Sequence, residues 1–210
     1  MAKKLQLNST KKDICPAEKM IRQNLELSAY VQRIFDAGIC NIREEVFKVK
    51  CKVIEQDRRY NKVYFITHGI TKCYIADENG KEFIQEFLGE GMEFGELEVF
   101  SKKHTICSVE AITPLKTLSI SHSNFNLLLE SDKHFNKLVL KALADKIRYK
   151  APRHSYQHSY PIEDNLMRLK RIFPEFTQVI SKKDIANYIG VTTRSLNRAL
   201  KELKAKNSNF

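Results

Sequence analysis

The 210-residue chain has no apolar run approaching the roughly eighteen residues that a membrane helix requires. Its first residues, MAKKLQLNSTKK, lack the apolar centre of a signal peptide, so neither a spanning segment nor export is expected. The five cysteines (Cys15, Cys40, Cys51, Cys73 and Cys107) are odd in number, widely spaced and without a CxxC, which reads as reduced cytoplasmic thiols rather than a disulfide framework. No GxSxG, Walker loop, GxGxxG or HExxH is present. His154 and His158 stand i, i+4 but within a polar linker, so no metal site is expected. Nothing in the sequence argues for an enzyme.

Anionic side chains are also in deficit. Lys and Arg number 36 against 25 Asp and Glu, and the surplus is densest after Pro161. Such a charge attracts nucleic acid, anionic membrane or acidic partners without choosing among them.

Glycine is scarce, and five of the seven lie between residues 69 and 95. They punctuate short runs rich in Val, Ile, Phe, Tyr and Thr (EVFKVK, KVYFIT, ITKCYIA, EFIQEFL, TICSVEA, LKTLSI). This pattern predicts six to eight strands in a sandwich or barrel over residues 41–120. Helical spacing precedes it, in a segment within residues 1–40 that includes Met20 and Ile21. It returns over residues 121–151, where Phe135, Leu138, Val139, Ala142, Leu143, Lys146 and Ile147 share one stripe of a long helix. That stripe either covers one face of the β region or meets its twin in a second subunit; the dimer seam is the favoured reading. PRHSYQHSYP, at 152–160, reads as a hinge or as a continuation of the rod bent at Pro152. A separate domain over 161–210 follows it.

Within that domain, KKDIANYIGVTTRSLNRALKEL has the spacing of two packed helices. Ala186 permits close approach, Gly190 supplies a positive φ for the turn, and Leu196 plugs the angle between them. Ser181 with Asp184 resembles a capping box, and Thr192 is a good cap for the second helix. The outward residues Thr193, Arg194, Asn197, Arg198 and Lys201 suit a DNA major groove, Arg reading guanine and Asn adenine. Lys182, Lys183 and Lys201 are candidates for phosphates, with Thr192 beside them.

The order of parts resembles the Crp/Fnr family of bacterial transcription regulators. The likeness rests on VYFITHGITKCYIADENGKEFIQEFLGEGMEFGELEVF and on ISKKDIANYIGVTTRSLNRALKEL, and spans roughly residues 40–205. The Gly-Glu-Leu-Glu run and the SYPIEDNL junction are similar to the YeiL-type branch. The resemblance implies an α+β fold: a double-stranded β-helix or jelly roll of cyclic-nucleotide-binding type, a long dimerisation helix, and a C-terminal helix-turn-helix whose wing is truncated or absent. It implies a cytoplasmic homodimer that binds double-stranded DNA, with RNA polymerase as a candidate partner and no membrane attachment. A ligand-sensing or protein-docking roll with weakened DNA binding is the alternative.

The effector pocket implied by the family falls on Gly95, Glu96, Leu97, Thr105 and Ile106. Cyclic-nucleotide binders carry an Arg-Ser or Arg-Thr pair about eleven residues after the Gly-Glu, the arginine neutralising phosphate. Thr105 and Ile106 occupy those positions here, so cAMP is not the expected effector. Neither do Cys15, Cys40 and Cys51 complete an iron–sulfur ligand set. No cofactor is predicted, which leaves room for an unidentified small-molecule effector.

Overall fold

The computed structural model of the protein describes residues 23–206, those at 154–158 and 206 by their backbone alone. Met20, Ile21 and Cys15 lie outside the described residues. Helix α1 (Leu25–Asp36) is capped by Asn24, whose side chain accepts from the Leu27 N–H. It buries Leu27, Val31 and Ile34.

Eight strands follow: β1 (Ile42–Phe47), β2 (Lys52–Ile54), β3 (Lys62–His68), β4 (Thr71–Ala76), β5 (Glu82–Leu88), β6 (Glu93–Phe94), β7 (Ser108–Ala111) and β8 (Leu115–Ser121). A short helix α2 (Leu97–Ser101) interrupts them. They form two antiparallel four-stranded sheets, ordered β1-β8-β3-β6 and β2-β7-β4-β5.

The period-two alternation of β3 explains the layering. Tyr64 and Ile66 face the second sheet, among Val53, Leu88, Met92 and Leu115. Val63 and Phe65 face the other way, onto Leu27, Ile34, Phe125 and Phe135 of the helices. Both faces of this strand are therefore covered, and 63–66 reads as one continuous apolar run. Each such side chain contributes roughly 1.5–3 kcal/mol on burial.

After the roll come α3 (His122–Ser131) and α4 (Lys133–Ser159), then α5 (Ile162–Ile172), α6 (Phe176–Val179), α7 (Lys182–Ile189) and α8 (Thr193–Lys206). The expected hinge at 152–160 is helical through Ser159, with Pro152 inside α4. Proline removes one backbone hydrogen bond from a helix interior. The turn is nevertheless held next door. Arg153 donates to the carbonyls of Ile84 (2.6 Å), Gln85 and Tyr188 (2.9 Å), so tertiary bonds on the following residue offset the loss.

The C-terminal helices pack on the outer face of β4 and β5. Tyr74, Ile84 and Phe87 join Leu166, Phe176, Ile185 and Leu196 in one cluster. Beside it Lys72 lies within 2.8 Å of Glu82, 3.1 Å of Asp184 and 3.6 Å of Glu110. Burial works against the Lys72 charge, but the hydrogen bonds it donates to Glu82 and Asp184 outweigh it and hold the ammonium above the usual lysine range.

Two turns depend on glycine for different reasons. Gly95 has φ +87°, and a Cβ there would stand 2.5 Å from the Lys62 carbonyl oxygen. Gly190 has φ +82° with nothing within 4 Å of that point. Gly95→Ala should therefore cost the left-handed backbone strain of about 1–3 kcal/mol plus the displacement of β3, whereas Gly190→Ala should cost the strain alone. Urea unfolding of both variants checks this, and an equal loss of midpoint would contradict it.

Candidate nucleic-acid interface and effector pocket

The Ser181 hydroxyl accepts from the Asp184 N–H at 3.1 Å and donates to its carboxylate at 2.7 Å, so the expected capping pair starts α7. Gly190 ends that helix in the left-handed conformation. Two residues on, Thr192 Oγ1 accepts from the Ser195 N–H at 3.1 Å and starts α8. Leu196, Ala199, Leu200 and Leu203 point inward, against Ala186, Ile185 and Ile189 of α7 and Leu166 and Leu169 of α5. Thr193, Arg194, Asn197, Arg198 and Lys201 are all exposed. So are Lys182, Lys183 and Thr192. The five α8 side chains, three cations with the Thr193 hydroxyl and the Asn197 amide among them, lie along the face opposite its core side. The nearest anion to Arg198 is Glu202, one turn on, with Nε 4.0 Å from the carboxylate.

The five expected pocket residues do not converge. Gly95 makes the tight turn described above. Leu97 is exposed, and Ile106 is 61% exposed. Thr105 is buried, but its groups are committed to the 55–58 loop. Its hydroxyl donates to the Glu55 carbonyl and accepts from the Arg58 N–H, while its own N–H donates to the Arg58 carbonyl. Glu96 is 2% exposed and carries its carboxylate into the interior.

Glu96 meets the ammonium of Lys146 from α4. That nitrogen lies 2.5 Å from Glu96, 2.9 Å from the Glu93 carboxylate and 2.8 Å from the Glu93 carbonyl. Burial disfavours the Lys146 charge, but the two carboxylates more than compensate and keep it protonated well beyond the ordinary lysine range. Glu96, an expected pocket residue of the Gly-Glu turn, is thus paired with a cation of the chain itself.

One helical turn further, Lys150 lies 3.3 Å from buried Glu86. Near it the Sγ atoms of Cys73 and Cys107 are 2.9 Å apart. The Cys73 thiol donates to Cys107, which pulls Cys107 below its usual value despite burial, with Lys150 assisting. The same bond and burial push Cys73 up. Sequence spacing found neither Lys146 as a pocket cation nor the cysteine pair. The only local hint was a lysine on an otherwise apolar helical stripe.

The stripe itself needs correction as a seam. Phe135, Leu138, Val139 and Ala142 are buried inside this chain against α1, α3 and the first sheet, with Leu143 packed beside them. Lys146 is committed to Glu93 and Glu96. Of the expected seam residues Ile147 alone is open, at 69% exposure, together with Leu140 at 60% on the outer face. The helix buries its strongest stripe first against its own roll, because the adjacent sheet and α1 are covalently present. Among the described residues no group of three or more His, Cys, Asp or Glu is placed to hold a metal ion. The side chains of His154 and His158 lie outside the described residues. No described helix is long and apolar enough to cross a membrane.

These features have counterparts among known proteins. The family of cyclic nucleotide-binding domains matches residues 44–132. The cAMP-activated global transcriptional regulator CRP of Salmonella typhimurium is 24% identical over 179 residues, covering 80% of this chain and 84% of that protein. The c-di-GMP responsive global regulator CLP of Xanthomonas campestris superimposes with a TM-score of 0.71 at 14% identity, over 85% of this chain and 92% of its own. A transcriptional regulator of the crp/fnr family from Eubacterium rectale does so with a TM-score of 0.67 at 12% identity, over 92% and 85% of the two chains. A two-sheet roll, a long following helix and a paired-helix C-terminus are thus the fold that this chain shares, over most of its length, with transcription regulators of the Crp/Fnr family.

Proposed function

We propose that the protein is a homodimeric, sequence-specific DNA-binding regulator whose roll answers to an effector other than cAMP. It acts in the cytoplasm on double-stranded DNA, and RNA polymerase is a further partner where it activates. The observation that carries this reading is the outward ridge of Thr193, Arg194, Asn197, Arg198 and Lys201 on a helix whose opposite face is fully packed. Rigid presentation is what lets side chains report base edges rather than charge alone. Lys182 and Lys183, at the exposed start of α7, suit flanking phosphates.

The dimer seam we assign to the exposed side of α4. Leu140, Ala144, Ile147 and Ala151 alternate by four, three and four residues and are all exposed. That is the interval of a two-helix seam. Two such chains would set their α8 helices about 34 Å apart, on an inverted-repeat site.

The argument against cAMP is electrostatic. No cation lies at Thr105 or Ile106 to meet a cyclic phosphate, and Glu96 is engaged by Lys146. An unpaired phosphate beside Glu93 and Glu96 would be costly.

Binding-site selection from random DNA, followed by fluorescence anisotropy, tests the reading. Arg198→Ala should lose about 1–3 kcal/mol of discrimination at one base pair while retaining affinity for other sequences. An equal loss on all sequences would make Arg198 a phosphate contact, and absence of any enriched motif for the parent would sink the reading. Ile147→Glu should shift the dimer toward monomer in light scattering, where a charge at a facing seam position is repelled by its twin; an unchanged mass would place the seam elsewhere. Cyclic AMP at about 1 mM should leave the thermal midpoint where it is, since a ligand of the native state would raise it by several degrees.

A further inference from the structure

Cys73 sits on β4, where its partner across the β5 ladder is Glu86 and across the β7 ladder Val109. Cys107 lies just before β7, in a bend outside the ladder. Diagonal neighbours two residues out of register ordinarily have Cα atoms about 7–8 Å apart. Here the bend turns the Cys107 side chain onto Cys73, and the sulfurs approach to 2.9 Å. A disulfide needs about 2.05 Å, so less than an ångström of motion by a residue in a bend would close the bond. The two thiols also differ in access: Cys73 is buried and Cys107 half-buried.

We propose that Cys73 and Cys107 are a two-electron redox pair within the roll, with Cys107 the thiol that meets a small hydroperoxide and Cys73 the thiol that resolves it. Its regulatory consequence rests on the DNA-binding reading above. Hydrogen bonding from Cys73 and the nearby Lys150 favour the Cys107 thiolate, the nucleophilic form. Cys40 contrasts with it, its thiol pushed up by burial.

The Cys107 thiolate attacks one oxygen of hydrogen peroxide. An S–O bond forms, the O–O bond breaks, and the departing hydroxide takes up the proton the thiol released, giving water and a sulfenic acid. Cys73 sulfur then attacks Cys107 sulfur. The S–S bond forms, the S–O bond breaks, and the hydroxyl leaves as a second water with the Cys73 proton. Two thiols lose two electrons and one peroxide becomes two waters. A dithiol reductant reverses the pair by exchange, becoming oxidised itself.

The consequence passes through α4. Bond formation removes the thiol near Lys150 and fixes Cys107 against β4, the strand paired with Glu86. Lys150 holds Glu86, and Arg153, three residues on, bridges Ile84 of the roll and Tyr188 of α7. Oxidation therefore acts on the contacts that position the C-terminal helices.

The full chain is exposed to a stoichiometric amount of hydrogen peroxide, then unfolded, alkylated and mapped by mass spectrometry without reduction. Two of the five thiols should disappear, in a peptide pair joined through Cys73 and Cys107, and dithiothreitol should restore both. In Cys73→Ser a 1,3-dicarbonyl probe should trap a sulfenic acid on Cys107, and Cys107→Ser should keep its remaining thiols over the same interval. Loss centred on Cys15, Cys40 or Cys51, or an unoxidised pair, would overturn the proposal; the map of the unmutated chain decides this even if a variant misfolds. In parallel, anisotropy with a random-sequence duplex of roughly 40 bp should show at least an about fivefold difference in Kd between the two redox states, absent from the double serine variant. A disulfide with unchanged affinity would remove its regulatory role. Failure of both states to bind the duplex would count against the DNA-binding reading, while the thiol map would still decide the chemistry.

Discussion

A protonated amine enclosed by protein is the constraint around which this molecule is arranged. Lys146 enters the roll from α4 and is received by Glu93 and Glu96, all three buried. Removing one member of such a group typically costs about 3–5 kcal/mol, because the partners stay behind without compensation. The pairing therefore fixes α4 against β6 and the start of α2 in one register. It also commits Glu96, an expected pocket residue, to a cation of the protein itself.

The same helix carries two further cations at the spacing that keeps them on one side. Lys150 and Arg153 follow Lys146 by four and seven residues, and all three end on the roll. Arg153 goes further, reaching the Tyr188 carbonyl and lying 3.8 Å from the centre of its ring. From the opposite side Lys72 draws in Asp184, in the first turn of α7. The C-terminal helices are thus held to the roll by an apolar cluster with charged contacts at its margins. Apolar packing supplies adhesion, and the directional contacts select one orientation.

What the sequence revealed is largely what is local. The strand runs, the Ser181 and Thr192 caps, the Gly190 turn and the outward set on α8 all follow from residues a few positions apart. The long stripe beginning at Phe135 was visible as apolar, but a stripe does not name its partner. Covalent proximity gave it to α1 and the first sheet, and left the weaker Leu140 and Ile147 face outside. Of the two readings of 152–160 the continued rod is the one the structure has, and the sequence could not choose it because the carbonyls that anchor Arg153 come from β5 and α7. Lys146 and Glu96 are 50 residues apart, and Cys73 and Cys107 are 34. No spacing rule joins residues so distant; only the closed roll does. The Thr105 position illustrates the converse. The missing arginine was legible, while the use of threonine to close the 55–58 loop was not.

The uninterrupted course of α4 has a mechanical meaning. Its 27 residues make a rod about 40 Å long, gripped near its middle by the roll's buried charges and leading into the C-terminal helices. Over the about 20 Å from Lys146 to Ser159, a pivot of about 5° becomes a sweep of roughly 2 Å at the tip. Sub-ångström displacements near the fulcrum are then enlarged where the C-terminal helices begin.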